Sequence, residues 1–385
     1  MSSNTQLAAV VSEYAGNVST LGADFRADAY TGWSSTIAST NISLPQVLKG
    51  HYDPGSGVTI NSLIAIQNTN TTTPAHVTVN YRQSTGTTYS HSGISIPAGA
   101  SAMLDLSSGT SEPALASVSL FYGTASIASD QPVAVVTQYN AAGFLLIYSG
   151  FSSANAGTTL YLPQLLRNLY DPGSGLTWGT GVLVMSIDGT AATVTLNYTN
   201  YDGKTYSESQ TNTMITFDNR SSSAIPSFYY GSGTLTSSKP IIAIVNYVVN
   251  ASARGLQGGT YRAFAASGGG NTVFIPLLRK NSLDVGSGIS WGTGVLGRLI
   301  GSSATTVTIT YYHSNGNTYT QTANISPTSP MFTFDQRSNG SLPDGTMSAV
   351  ITSNPAQSFN VIVNVAAPST VQGDAFMTFS GVIPQ

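Results

Sequence analysis

Apolar and small polar residues alternate with a period of two over many short stretches of this chain. The clearest are residues 77–81, 194–198 and 307–311, in which Val, Leu, Ile and Tyr alternate with Thr and Asn. Such alternation of β-branched and aromatic residues is typical of strands with one buried face. Each run is followed by a glycine turn and a second tyrosine, which indicates a β-hairpin. No stretch has the spacing of an amphipathic helix, so the pattern predicts an all-β chain.

The whole pattern occurs three times, at intervals of about 115 residues, which is the length of a domain. Each copy starts at a Leu-Pro or Ile-Pro pair and continues through a glycine loop headed by an aspartate. The prolines are Pro45, Pro163 and Pro276, and the aspartates are Asp53, Asp171 and Asp284. About seven short strands per copy, separated by Gly, Pro and Asn turns, indicate an antiparallel β-sandwich of immunoglobulin-like type. We therefore predict a tandem array of three sandwiches, over residues 43–160, 161–273 and 274–385.

The two ends of the chain are out of phase with this repeat. Residues 7–14 match residues 132–139, which close the first copy, and residues 379–385 lie where a further copy would begin. We expect residues 1–42 to hold an extra terminal β-hairpin, made of closing strands without a front half, and a linker. An isolated hairpin leaves strand edges unpaired, so it is expected to pair with a neighbouring subunit or repeat. The side chains predicted to carry this assembly are Leu7, Ala9, Val11 and Tyr14.

Several motifs of the second copy point to a known type of protein. They are Leu162-Pro163, Leu166-Arg167-Asn168, Trp178-Gly179-Thr180-Gly181, residues 192–198 and Asp202-Gly203. Together they resemble the tandem β-sandwich repeats of large secreted or cell-surface bacterial proteins. The first copy departs from the pattern, with Ile60 in place of Trp178 and Trp291. The resemblance implies a stalk, a fibre or a surface layer.

Composition narrows the classes of partner. Charged residues make up only 8% of the 385 residues, against about 25% in ordinary soluble domains, so Ser, Thr, Asn, Gly and Tyr must cover the surface. A net charge of −3 argues against a nucleic-acid partner and leaves no basic patch for a membrane surface. No apolar run approaches the ~20 residues that span a bilayer, so membrane insertion is not expected. The low charge favours an extracellular or cell-surface location.

Candidate chemistry is sparse. The chain has no cysteine, its four histidines form no metal-binding motif, and no phosphate-binding loop is present. Asp53, Asp171 and Asp284 are weak candidates for a calcium site, although a capped turn is the favoured interpretation of each aspartate. Asp218 and Arg220, like Asp335 and Arg337, are spaced to form an ion pair at a strand end. We predict no catalytic residue, no cofactor and no enzymatic activity.

Two functions follow from these features. The favoured one is a structural subunit of an extracellular filament or surface layer, in which copies of the chain assemble head to tail through terminal β-strands. The alternative is a carbohydrate-binding or adhesion array on the cell surface, with glycans as partners and Trp33, Trp178 and Trp291 as stacking platforms. Solvent exposure of the three tryptophans would distinguish the two functions, because buried rings cannot form a platform.

Overall fold

The computed structural model describes residues 9–15, 25–31, 38–54, 57–141, 143–249, 256–285, 288–368, 371 and 373–383. These residues form 28 β-strands and three short 3-10 helices, Pro113–Leu115, Ser153–Asn155 and Ala266–Gly268, and contain no α-helix. Strands hold 68% of these described residues, and all strand pairings are antiparallel. The predicted all-β class is therefore confirmed.

Unit 1 comprises strands β3 to β10, and its long strand β9 pairs with four other strands along its length. The first part of β9 pairs with β3 and β6, and its second part pairs with β5 and β10. β7 pairs with β6, while β4 and β8 pair with β5. The bounds are β3 Ser39–Lys49, β4 His51–Asp53, β5 Val58–Asn68, β6 Ala75–Gln83, β7 Thr88–Ile96, β8 Ser101–Asp105, β9 Phe121–Ala141 and β10 Phe144–Ser149.

Unit 2 repeats these pairings, with β17 as its long strand and one additional short strand, β19. The bounds are β11 Gly157–Arg167, β12 Leu169–Asp171, β13 Leu176–Ser186, β14 Ala192–Asn200, β15 Thr205–Asn212, β16 Met214–Asp218, β17 Tyr229–Val249, β18 Gly258–Arg262 and β19 Phe264–Ala265.

The strands of unit 3 form two separate sheets. Its counterpart of the long strand is divided near Pro355 into β26 and β27. One sheet has the order β20-β26-β23-β24, and the other has the order β21-β22-β27-β28 with β25 beside β22. The bounds are β20 Thr272–Lys280, β21 Ser282–Asp284, β22 Ile289–Leu299, β23 Thr305–His313, β24 Thr318–Ile325, β25 Met331–Asp335, β26 Gly345–Asn354, β27 Phe359–Ala366 and β28 Phe376–Ser380.

The N-terminal hairpin consists of β1 (Val10–Ala15) and β2 (Arg26–Thr31). β2 packs between β10 of unit 1 and β28 of unit 3, and β18 of unit 2 packs between the same two strands on the other side. These four closing strands form a closed arrangement that we call the central ring. The hairpin thus occupies a fourth place in the ring, where each unit contributes one closing strand.

The hydrophobic cores extend from each unit into the next. The core of unit 1 includes side chains of unit 2, and the core of unit 2 includes side chains of unit 3. The core of unit 3 includes side chains of the hairpin. The shared residues are Leu183, Met185, Ile242 and Ile244 at the first boundary, Leu296, Ile362 and Phe376 at the second, and Phe25, Ala27 and Ala29 at the third.

The recurring Leu-Pro motif produces a bulge in the first strand of each unit. The pairing of β11 shifts between Leu162 and Leu165, because Pro163 cannot donate to the ladder. Thr180 Oγ1 accepts a hydrogen bond from Leu166 N (3.0 Å) and donates to Leu166 O (3.2 Å). Ser62 and Thr293 make the corresponding bonds in units 1 and 3. The Thr of the Trp-Gly-Thr-Gly motif therefore stabilises the bulge that precedes the aspartate loop.

The immunoglobulin-like type, the count of three sandwiches and the boundaries before residues 43, 161 and 274 stay predictions; each boundary lies inside a strand, β3, β11 or β20. In the part of the chain that the structure describes, no helix is long and apolar enough to cross a membrane.

Candidate functional site

In units 1 and 2 the aspartate at the head of the glycine loop meets an arginine of the following unit. Arg337 Nη1 of unit 3 lies 3.4 Å from Asp171 Oδ2 of unit 2, and Arg220 Nη1 of unit 2 lies 3.6 Å from Asp53 Oδ2 of unit 1. The predicted pairing within the strand end is also present, since Arg220 binds both carboxylate oxygens of Asp218 at 2.9 and 3.1 Å. Two motifs that are far apart in sequence thus form equivalent three-residue ion clusters at two boundaries.

A glycine of the Trp-Gly-Thr-Gly motif makes room for each arginine. A Cβ atom on Gly292 would lie 2.5 Å from Cγ of Arg337, and one on Gly179 would lie 2.5 Å from Cγ of Arg220. Unit 1 carries neither partner, because Asn61 and Ser107 occupy the two corresponding positions. The glycine and the arginine therefore occur together or not at all.

The charges at these boundaries disfavour a cation. Burial alone would raise the pKa of Asp171, but the Arg337 guanidinium and hydrogen bonds from Ser174 and Gly173 hold it below its ordinary value. Asp284 has Arg279 Nη2 at 4.0 Å. In the described ranges no three or more His, Asp or Glu side chains are grouped to hold a metal ion. The calcium hypothesis for the three loop aspartates stays a prediction, and at Asp53 and Asp171 a guanidinium occupies the position that a cation would need.

A cavity lies behind each ion cluster. The one between units 1 and 2 has a volume of about 530 Å³. Between units 2 and 3 the corresponding residues line two cavities, of about 210 and about 430 Å³. Unit 1 lines the larger cavity with Gln46, Leu48, His51, Asp53, Ile60, Tyr122, Tyr139 and Leu146, and unit 2 lines it with Leu183, Thr216, Asp218, Arg220, Asn246 and Val248. The walls are joined by hydrogen bonds between Tyr122 Oη and Thr216 Oγ1 (2.8 Å) and between Asn246 Nδ2 and Gln46 Oε1 (3.4 Å).

The two described tryptophans are core residues. Trp178 is 5% exposed and Trp291 is fully buried, while Trp33 lies outside the described residues. The ring of Trp178 packs on Phe376 of unit 3, with centroids 4.6 Å apart. Neither described ring offers a face to solvent, so the carbohydrate platform expected of the alternative function is absent at these two positions.

Two buried carboxylates in the central ring are not marked by any sequence motif. Asp28 of β2 accepts hydrogen bonds from Ile147 N of β10 (2.6 Å) and Thr378 N of β28 (3.2 Å). Asp374 accepts from Leu145 N of β10 and Gly258 N of β18, both at 2.9 Å. Burial raises the pKa of both carboxyls well above the ordinary value, and the charge of Asp28 adds to the rise at Asp374. Each carboxylate ties together neighbouring strands of the ring.

The recurring tyrosines of the alternating runs are buried and bonded to polar partners. Tyr81 Oη donates to Glu112 Oε2 (2.8 Å), to which His91 Nδ1 also lies close (3.0 Å). Tyr198 binds Asn219 (2.8 Å) and Glu208, whereas Tyr311 binds Gln321 (3.1 Å). Burial, followed by the Glu112 charge, raises the pKa of Tyr81. Because the partner in unit 3 is an amide, the pairing of two titratable groups does not recur in all units.

A buried or half-buried cation in each unit was also missed by sequence reasoning. Lys49 Nζ donates to Leu115 O (2.6 Å), and Lys280 Nζ donates to Asn339 O (2.8 Å) and Leu342 O (2.6 Å). Arg167 makes the corresponding bond to Ile225 O. The signal in the sequence is a Lys or Arg that follows the Leu-Pro motif at the same distance each time.

Of the predicted assembly residues, Leu7 lies outside the described residues. Ala9 is half-buried just before β1, and Val11 is 39% exposed. Tyr14 is in β1 and pairs with Ala27, but its side chain lies outside the described part. No other strand of the described chain pairs with β1.

Comparisons with known proteins give limited information. No protein-family model and no curated protein sequence match the chain. Among solved structures, a Thermotoga maritima protein described as Thermotoga maritima 1070 is similar over 30% of this chain and 96% of its own length, with 16% identity and a TM-score of 0.24. A tetra-tandem repeat from the extending region of a large adhesion protein is similar over 98% of this chain and 81% of its own, with 12% identity and a TM-score of 0.13. With TM-scores this low, neither similarity decides the fold or the function.

Proposed function

We propose that this chain is a non-enzymatic structural protein of the cell surface or the extracellular space, and that copies of it assemble through the outer edge of β1. The proposal goes beyond the antiparallel all-β fold and names a location, a partner and a surface. The partner is a second copy of the same chain, and the surface is the strand edge that carries Val11.

The observation that carries the proposal is the single partner of β1. Its counterparts in units 1 and 2 are flanked on both sides: β9 pairs with β10 and with β5, and β17 pairs with β18 and with β13. In the described residues β1 pairs with β2 alone. An open strand edge presents unpaired N–H and C=O groups that accept a further strand.

The packing of β2 supports a firmly held edge. Phe25, Ala27 and Ala29 are no more than 1% exposed and belong to the core of unit 3, and Thr31 Oγ1 donates to Ser380 O (2.7 Å). Gln138 Nε2 of unit 1 donates to the Glu13 carboxylate at 2.7 and 2.8 Å. Because both neighbours fix the hairpin, a strand added to β1 would join two chains through a rigid contact rather than through a loose tail.

A charge on the edge tests the assembly. In Val11→Lys the new ammonium group lies on the open edge, where lysine is known to block strand addition. Leu120→Lys is the matched control, because Leu120 is 51% exposed on unit 1 and away from β1. Light scattering and electron microscopy of the full chain should show assemblies for the unchanged protein and the control, and single chains for Val11→Lys. A monomeric unchanged protein, or normal assemblies of Val11→Lys, would refute the proposal.

A further inference from the structure

The cavities at the two boundaries between units differ in their aromatic side chains. In the smaller cavity Trp178 and Phe376 pack against each other and against Tyr247. A Cβ atom on Gly259 would lie 2.8 Å from the Phe376 ring, so this glycine admits the phenylalanine. At the corresponding positions of the larger cavity, Ile60 replaces the tryptophan and Gly258 replaces the phenylalanine.

The frame around these two positions is the same at both boundaries. The ion cluster, the Tyr-Thr hydrogen bond and the Gln-Asn hydrogen bond are present at both boundaries. The cavity between units 1 and 2 has a volume of about 530 Å³, within the range of about 300–1,000 Å³ of small-molecule sites. Between units 2 and 3 the corresponding residues line two cavities, of about 210 and about 430 Å³. The exposed Pro54 lies in the lining beside Asp53, so the loop that carries the aspartate borders the cavity where it reaches the surface.

The lining combines aromatic faces with uncharged hydrogen-bonding groups. The His51 and Tyr122 rings pack against each other, with centroids 4.9 Å apart and a tilt of 38°. Burial lowers the pKa of His51, which keeps its imidazole neutral at neutral pH. The amides of Gln46 and Asn246 and the hydroxyl of Thr216 add donors and acceptors on both walls. A ligand with hydroxyl groups on its edges and an apolar face matches such a mixture.

The charges of the ion cluster disfavour binding of an anionic ligand in the cavity. Arg220 is already held by Asp218 at 2.9 Å and by Asp53 at 3.6 Å, so two carboxylates oppose one guanidinium. An anionic ligand would compete with those carboxylates, while the oxygens of Asp53 and Asp218 accept hydrogen bonds from hydroxyl groups.

We propose that the cavity between units 1 and 2 is a binding site for a neutral saccharide. The sugar ring lies against His51 and Tyr122, and its hydroxyl groups bond to Gln46, Asn246 and the carboxylates of the ion cluster. Between units 2 and 3, Trp178 and Phe376 occupy the corresponding place beside the Tyr-Thr and Gln-Asn hydrogen bonds, so the proposal assigns no sugar to that cavity. This inference does not depend on the assembly role of β1.

Saturation-transfer NMR of the full chain tests the site with defined probes. The probes are the methyl glycosides of glucose, galactose, mannose and N-acetylglucosamine and their disaccharides, with galacturonate as the anionic probe and cyclohexanol as the apolar one. We expect transfer to at least one neutral glycoside and none to galacturonate. Absence of transfer to every neutral glycoside, or stronger transfer to galacturonate or cyclohexanol, overturns the proposal.

Two substitutions locate the binding. Ile60→Trp places a ring where Trp178 lies at the other boundary, and Gln46→Leu introduces the residue that unit 3 itself carries, as Leu277, at this position. We expect both to abolish transfer, with circular dichroism verifying that each variant is folded. Tyr52→Ala is the control, because Tyr52 is 58% exposed and is not part of the lining. Unchanged transfer in folded Ile60→Trp and Gln46→Leu would place the sugar elsewhere and overturn the proposal.

Discussion

At the scale of single residues, substitutions between equivalent positions set what each boundary does. Where the chain has Gly292 and Arg337, an ion cluster reaches back to the preceding unit; where it has Asn61 and Ser107, that link is missing. The same holds for the exchange of Trp178 for Ile60, which changes the lining of a cavity. Single side chains therefore give different contacts to units that share one pattern of strands.

The pairing of glycine and arginine gives a first prediction. Gly292→Ala should lower the free energy of unfolding by about 1–3 kcal/mol, because the new methyl group overlaps the Arg337 stem. In an Arg337→Ser background the same change should cost less, with a coupling energy of about 0.5–3 kcal/mol. Urea unfolding of the unchanged protein, the two single variants and the double variant measures this double-mutant cycle. Gly294→Ala is the control, since a Cβ atom there has nothing within 4 Å; equal costs in both backgrounds would contradict the argument.

The buried carboxyl groups give a prediction about pH. Burial raises the pKa of Asp374 above its ordinary value of 3.8, so between these two values the folded state binds more protons than the unfolded state. Stability must then fall as pH rises from 3.8 through the raised pKa. Asp374→Asn should flatten this fall, and should cost about 1–3 kcal/mol at low pH because an amide cannot accept both backbone N–H bonds. Urea unfolding at a series of pH values measures both effects.

A matched control separates this effect from surface titration. Asp188 is exposed, and hydrogen bonds from Thr190 and Ser186 hold its pKa below the ordinary value. Asp188→Asn should therefore leave the slope of the free energy of unfolding against pH unchanged above about pH 4. If the free energies of unfolding of Asp374→Asn and of the unchanged protein have parallel pH profiles, the buried carboxyl group does not contribute to the pH dependence of stability.

At the scale of strands and loops, one device recurs in every unit. A proline bulges the first strand, and a hydroxyl from the neighbouring strand satisfies the backbone that the bulge leaves unpaired. A Lys or Arg at the end of that strand then binds the carbonyls of a loop. This arrangement fixes where the aspartate loop leaves the sheet, and therefore where the aspartate can meet the next unit.

The hydroxyl of the bulge gives a third prediction. Thr293→Val keeps the shape of the side chain but removes the bond that Arg279 N makes to it at 3.1 Å. A buried N–H without a partner costs about 1–3 kcal/mol, so the free energy of unfolding should fall by that amount. Thr308→Val, in a half-exposed position of β23, should change it by less than about 0.5 kcal/mol. Equal effects of the two substitutions in urea unfolding would show that the bulge does not need the hydroxyl.

At the scale of the whole molecule, the shared cores bind the units into one body. Each core includes side chains of the next unit or of the hairpin, and the four closing strands meet in the central ring. A repeat array with small contacts between its members unfolds member by member. Cores that cross the boundaries instead favour a single cooperative transition.

This cooperativity gives a fourth prediction, for calorimetry. The unchanged chain should show one transition, and Phe376→Ala should lower the midpoint of the whole transition, at a cost of about 3–5 kcal/mol for an aromatic core residue. Phe376 is suited to this test because it belongs to unit 3 but packs on Trp178 and Tyr247 of unit 2. Phe228→Ala is the control, since Phe228 is 76% exposed. Three separate transitions, or a shift of only one of several, would show that the units unfold independently.

The amino-acid sequence by itself determined the strands, their antiparallel class and the threefold repeat. Alternation with a period of two is a local property, and a strand with one buried face needs it wherever the strand lies. The Asp-Arg pair at the end of β16 and β25 was also readable, because the two residues are two positions apart. The hairpin of residues 10–31 was found by its match to a closing strand elsewhere in the chain.

Only the tertiary structure decided how the units meet. The ion pair between Asp53 and Arg220, the buried carboxylates of the central ring and the cavities between units join residues more than 100 positions apart, and local pattern contains no information about such distances. The favoured interpretation of the loop aspartates as turn caps is confirmed at Asp171, which accepts from Gly173 N and Ser174 N. The guanidinium of the next unit that faces Asp53 and Asp171 was not predicted. Burial at these contacts depends on two surfaces at once, and a single stretch of sequence describes only one of them.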